Sequence, residues 1–144
     1  MFSIFMHEMW IKIICSVVGF LMITVVSGQR HLSLDTLETP DYFENVHVLK
    51  IAEDSLQSTF VIWIKANVKG HFHQEHTENI IVLEGKAEML FNDKRIIVKK
   101  GDYLNIPKGT RHSVEKVFSR KPLKVVSIQS PHFDGKDRVF MENN

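Results

Sequence analysis

The sequence predicts an all-β fold built as one small antiparallel barrel or sandwich, and three observations carry that prediction. Short apolar runs recur at regular spacing from Val46 onward, split by glycine, proline and Asn-Asp turn residues. The runs are rich in β-branched and aromatic side chains, as strands prefer. Past residue 28, no segment keeps a 3.6-residue apolar period over the length that a stable helix needs. With 144 residues, 44% apolar and 24% charged, the chain has the size and composition of one globular domain with its own core.

Residues 1–28 stand apart from this pattern. Ile11 to Val26 is an apolar run broken only by Lys12, Ser16, Gly19 and Thr24, and Val26-Ser27-Gly28 supplies the small residues of a signal-peptidase site. The expectation is a secretory signal peptide over residues 1–28, cleaved before Gln29. Phe2, Ile4, Phe5 and Glu8 make an odd start for such a signal, so translation beginning at Met6 or Met9 fits it better. The run is short of the about 20 apolar residues that span a bilayer. A membrane-anchored form with the signal uncleaved is the alternative, and no stable membrane insertion is expected after cleavage. The only cysteine, Cys15, lies in this segment without the flanking residues of a lipoprotein signal. The exported chain would therefore carry no thiol and rely on its core alone in an oxidising compartment, secreted or periplasmic.

The mature chain opens with a polar arm over residues 29–45, containing Asp35, Glu38 and Pro40. The barrel is expected over residues 46–130. Val46 to Ile51 alternates, and Thr59 to Ala66 is a dense β-branched and aromatic run that Lys69-Gly70 is expected to end. Asn79 to Glu84 and Ala87 to Phe91 flank the turn at Gly85, and Asn92-Asp93 is a hairpin signal ahead of Arg95 to Val98. Gly101-Asp102 leads into Tyr103 to Ile106, Pro107-Lys108-Gly109 turns the chain again, and Arg111 to Phe118 and Leu123 to Gln129 complete the set. Residues 131–144 read as a C-terminal tail. Trp63, Phe60 and Phe91 are expected in the core, and His47 and His132 at the surface or rim.

Charge narrows the partners. Lys and Arg number 18 against 17 Asp and Glu, which leaves no broad basic surface for a nucleic-acid backbone. A small-molecule ligand or substrate is the expected partner. His71 and His73 lie two apart, so on an extended segment both imidazoles project to one face and can share a metal. Glu78 has the strand parity of Ile80 and Val82; a carboxylate on a barrel's inner face is costly unless it is paired or coordinates a cation. His112 follows the Pro107-Lys108-Gly109 turn and is expected to complete the shell from a second side of the barrel. Three imidazoles and a carboxylate suit iron, manganese, zinc, nickel or copper. His76 leaves an alternative set of His73, His76, Glu78 and His112, although strand parity favours His71; otherwise it reads as a solvated loop residue.

The arrangement His-x-His, four residues, Glu, six residues, Gly, and then Gly, five residues, Pro-x-Gly, two residues, His resembles the paired motifs of the cupin superfamily. The stretches IIVLEG, ending at Gly85, and GDYLNIPKGTRH, ending at His112, are close to the family's wording. The resemblance covers about Val46 to Gln129. It implies a small jelly-roll barrel, a divalent transition metal held by His71, His73, Glu78 and His112, and a homodimer paired edge to edge through the segment Gln29 to Ile51. The chain departs from the pattern at Lys65, where a glycine is expected, and at Lys116, where an asparagine is expected; neither position holds metal.

With iron, the resemblance implies dioxygenase chemistry; with zinc or manganese, isomerase, lyase or hydrolase chemistry in which the metal polarises a carbonyl. The sequence contains no nucleophile with an adjacent base and no phosphate-cradling glycine loop, so catalysis would run through the metal. A metal-dependent enzyme acting on a small oxygen-rich molecule is the first expectation, and a non-catalytic sugar or small-ligand binding module the alternative. Arg111, beside His112, is a candidate cation for an anionic substrate.

Overall fold

The computed structural model describes residues 30–141. The signal-peptide expectation for residues 1–28 therefore lies outside the described residues. Every strand among the described residues belongs to the compact unit that begins at Leu34.

Ten strands make up this unit: β1 (Val46–Glu53), β2 (Ser58–Ile64), β3 (Val68–His73), β4 (Thr77–Glu84), β5 (Lys86–Phe91), β6 (Lys94–Lys99), β7 (Tyr103–Ile106), β8 (His112–Val117), β9 (Leu123–Ser130) and β10 (Arg138–Phe140). They form two five-stranded sheets, ordered β1-β2-β9-β4-β7 and β10-β3-β8-β5-β6, with every adjacent pair antiparallel. This is the all-β jelly-roll arrangement expected, two sheets face to face around one core.

Strand parity explains the packing. Ile64, Ile80, Val82, Leu123 and Val125 point between the sheets with Met89, Val98, Leu104, Ile106 and Val114. The alternate residues Val61, Trp63 and Val126 form a second cluster with Phe43, against which Leu34 and Leu37 of the arm pack. The first sheet is thus covered on both faces, which is why β2 and β9 read as near-continuous apolar runs. Lys124 is buried with them, and its ammonium donates to the carbonyls of Leu34 and Leu37. Phe60 and Trp63 are buried as expected, and Phe91 packs against the main core.

Two stretches differ from the sequence expectation. Lys69 and Gly70 lie inside β3, at a register shift between Val68 and His71, and do not form a turn. The turn falls earlier, around Ala66 and Asn67. There the Asn45 side chain accepts from the Ala66 amide and donates to the Asn67 carbonyl, supplying the partners that a turn backbone otherwise lacks. The segment expected as a tail also carries β10, which pairs with β3 so that Arg138 stands opposite His73 and Phe140 opposite His71.

Candidate metal centre

β3, β8 and β4 bring the sequence-predicted ligands together. His71 and His73 alternate with Phe72 and face inward, both almost fully buried. His112 opens β8 as the direct cross-strand partner of His71, with ring centroids 4.3 Å apart. This corrects the expectation that His112 arrives from a second side. The three histidines share one sheet, and Glu78, from β4 of the facing sheet, closes the cluster. The Pro107–Gly109 turn sets His112 in place: Gly109 sits at φ 77° and its amide donates to the His73 carbonyl at 2.6 Å.

Each imidazole is oriented by its outer nitrogen. Nδ1 of His71 donates to the Lys69 carbonyl at 2.8 Å, that of His73 to Asp137 at 2.9 Å, and that of His112 to Thr110 at 3.0 Å. A carbonyl only accepts, so each Nδ1 carries the proton, and in the neutral ring Nε2 presents its lone pair. A ligand nitrogen from each of the three histidines lies within 4.8 Å of the others. Glu78 Oε2 is 3.2 Å from His112 Nε2 and 3.6 Å from His73 Nε2. Both of these buried nitrogens lack a hydrogen-bond partner. Lone pairs converging on a buried carboxylate repel one another unless a cation stands between them. The donor set, borderline nitrogen with one hard oxygen, fits a divalent transition metal.

The electrostatics agree. Burial, with His112 nearby, pushes the His71 imidazole down to about 4, so it stays neutral and able to ligate at ordinary pH. Burial alone would raise the Glu78 carboxyl, but positive charge facing it from the His112 and His73 side, with the Ser127 hydroxyl, outweighs burial and holds the group well below its ordinary value. Ser127 and the Gln129 amide both donate to Glu78 Oε1, leaving Oε2 to face the imidazoles. Sequence reasoning missed these two, although the signal was present: the inward parity of β9 runs Leu123, Val125, Ser127, Gln129, turning polar level with Glu78.

His76 is not the solvated loop residue expected. It is buried, its Nδ1 meets the Asp137 carboxylate, and its Nε2 donates to the His132 carbonyl at 2.9 Å. Both ring nitrogens face acceptors, an arrangement that favours the protonated ring. Burial would lower its pKa, but the His132 carbonyl and Asp137 raise it above the ordinary value. With both nitrogens committed it has no lone pair for a metal, which removes the alternative set containing His76. Although His73, His76 and Asp137 also approach within 4.8 Å of one another, they form a hydrogen-bonded latch. The Asp137 carboxylate also accepts the amides of Gln74, Glu75 and His76, tying the chain before β10 to the β3–β4 loop. No sequence signal links Asp137 to a loop so distant along the chain.

Beside the histidines lies a cavity of about 80 Å³, lined from the first sheet by Val46, Val48, Ile62, Glu78 and Val125 and from the second by His71, His112 and Arg138. Arg111 is exposed and does not line it. His132 sits at the rim, bonded to Glu53 at 3.1 Å, and His47 packs at the surface beside Trp63.

Three inward imidazoles opposed to a buried carboxylate, inside two face-to-face sheets, define a metal-binding jelly-roll protein. The Cupin domain family model matches residues 59–129, and the chain belongs to the cupin superfamily. It is 35% identical over 99 residues to an uncharacterised protein of Aquifex aeolicus, a match covering 69% of this chain and 80% of that one. It is 46% identical over 43 residues to quercetin 2,3-dioxygenase of Bacillus subtilis; that match covers 30% of this chain but only 13% of the dioxygenase. A solved Klebsiella pneumoniae protein with a double-stranded β-helix domain superposes with a TM-score of 0.66 at 20% identity, covering 81% of this chain and all of that one.

Proposed function

We propose that this chain is a secreted, metal-dependent cupin enzyme of dioxygenase or isomerase type, acting on a small oxygen-rich molecule. His71, His73, Glu78 and His112 hold its divalent metal. One observation supports the reading: the outer nitrogens of all three histidines are tied to backbone carbonyls, which aims their inner nitrogens toward a buried carboxylate, an arrangement that suits a shared cation. A metal bound there supplies Lewis acidity toward a substrate oxygen or, as iron, dioxygen chemistry. The chain's own residues do the rest. Ser127 and Gln129 orient Glu78, the latch at Asp137 fixes His73 through its Nδ1, and the apolar side chains of β1 and β2 line one side of the cavity. The partial match to a quercetin dioxygenase is in keeping with this chemistry.

A second reading, a non-catalytic small-ligand binding module, is favoured by the lining itself. Apart from the proposed ligands it contains no carboxylate or imidazole to serve as general acid or base, and the Ser113 hydroxyl is committed to Glu115. Turnover assays with protein loaded separately with iron, manganese and zinc separate the two. Oxygen uptake or product formation supports the enzyme, whereas saturable binding without product supports the module. Export and homodimer formation belong to the same proposal, supported by the apolar run ending at Val26-Ser27-Gly28 and by β1 lying at a sheet edge with Val46, Val48 and Leu49 exposed. A mature N-terminus at Gln29, and a dimeric mass by light scattering, are the expected results.

A further inference from the structure

Among the described residues, one cation lines the cavity and forms no ion pair there: Arg138. Its place follows from register. Antiparallel partners share a face, and β10 pairs Arg138 with His73 and Phe140 with His71. The Phe140 ring lies 6.0 Å from that of His71, and since Phe140 is 52% exposed and Arg138 is exposed as well, β10 sets both at the mouth of the cavity. The neighbouring carboxylate, Asp137, is already committed to three backbone amides and His76 and is not available to neutralise the guanidinium. Phe133 packs against it, ring centroid 6.0 Å away, which steadies its position and leaves its charge intact. Across the cavity, Val46 and Val48 leave 41% and 49% of their surface exposed, so apolar surface faces the cation across the mouth.

We propose that the ligand of this cavity is a small organic acid whose carboxylate pairs with Arg138, whose second oxygen donor is directed at the three imidazoles, and whose apolar body lies against Val46 and Val48. The inference deepens the metal-centre reading and rests on it for the second donor. A guanidinium offers a planar pair of donors matched to a carboxylate, and a neutral sugar or diol gives it nothing comparable to hold. Arg138 is thus a specificity residue supplied by the last strand, whose place in the sheet depends on the Asp137 latch.

The test is calorimetric binding of 2-hydroxyisocaproate and of its uncharged counterpart, 4-methylpentane-1,2-diol, to manganese-loaded protein, with metal content and circular dichroism checked for every variant. The acid is expected to bind the wild type about tenfold more tightly than the diol, an advantage that shrinks as salt rises. In R138Q the two affinities should converge while that for the diol is unchanged, and R138K should retain part of the preference. Equal binding of acid and diol by the wild type, an equal loss of both in R138Q, or binding of neither would each overturn the proposal. Its failure is separable from that of the metal centre. Protein that takes up no manganese yet prefers the acid through Arg138 ends the metal reading alone; protein that takes up manganese but treats the two probes alike ends only the Arg138 inference.

Discussion

Each histidine of the centre divides its work between two nitrogens, one tied to a backbone carbonyl and one aimed inward, so a substitution there removes a ligand without removing a strand. His73→Ala or His112→Ala should strip most of the metal while the far-UV circular dichroism stays that of the wild type, because the main apolar core is made by other residues. Undiminished metal by elemental analysis in both variants would take these residues out of the shell. Glu78 depends on a further tier. With Ser127 and Gln129 bonded to Oε1, the carboxylate is held with Oε2 inward. Gln129→Leu should therefore weaken metal affinity about tenfold, read by competition with a chelator, without unfolding the barrel. The four proposed ligands could be picked out in the sequence because their spacing has a physical meaning: two residues apart puts His71 and His73 on one face, and Glu78 shares parity with Ile80 and Val82. His76 was not legible, because its burial depends on Asp137, and a partner that far along the chain leaves no local periodicity to read.

Turns and edges decide how the elements meet. Gly85 sits at φ 91°, and a Cβ built there would stand 2.9 Å from the Leu123 Cα and 3.2 Å from the Pro122 carbonyl oxygen, both backbone atoms that cannot swing aside. Gly109 also has positive φ, but a Cβ there would meet nothing within 4 Å. Gly85→Ala should accordingly cost about 3 kcal/mol in urea unfolding and Gly109→Ala about 1 kcal/mol, since only the first adds a clash to the conformational strain. Equal midpoints for the two variants would mean that β9 yields at Pro122-Leu123. The Asp137 latch belongs to this scale too. Desolvation would raise the Asp137 carboxyl, but the amide of Glu75, the His76 ring and the amides of Gln74 and His76 bring it down to about 2, below the ordinary 3.8. A depressed carboxylate stabilises the fold above its unfolded value, so this contribution is full above pH 3.8 and fades as pH falls toward 2. Asp137→Asn should cost about 3 kcal/mol at neutral pH, and the difference from wild type should shrink as acid titrates the native carboxylate. Hydrogen exchange should localise the loss to β10 and the β3–β4 loop.

At the scale of the whole molecule, the strand succession was readable because the strands carry either alternation or a dense apolar run and, from β4 onward, each turn holds a glycine, a proline or the Asn-Asp pair; the turn after β2 holds none of these, which is why its place was not readable. β7 runs from Tyr103 to Ile106 just as the alternation marks it. What the alternation could not give is which sheet each strand joins, since pairing such as that of β2 with β9 is settled by packing between residues far apart in sequence. It also could not show that the arm belongs to the fold, because Leu34, Leu37 and Phe43 are scattered among charges. Yet these residues cover the outer face of the first sheet over Val61, Trp63 and Val126, and their backbone carbonyls hold two ammonium groups: Lys124 at Leu34 and Leu37, and Lys65 at Phe43. A chain beginning at Asn45 would expose that apolar cluster and strip Lys124 and Lys65 of their carbonyl acceptors, whereas one beginning at Leu34 keeps both. The shorter chain should lose about 4 kcal/mol from lost apolar contact and lost charge-assisted hydrogen bonds together. In a domain of this size that lowers Tm by on the order of 15 °C, and the newly exposed face should bring aggregation with it. Calorimetric scans of the two truncations at equal concentration make the comparison, and coincident midpoints would show that the first sheet stands without its outer cover.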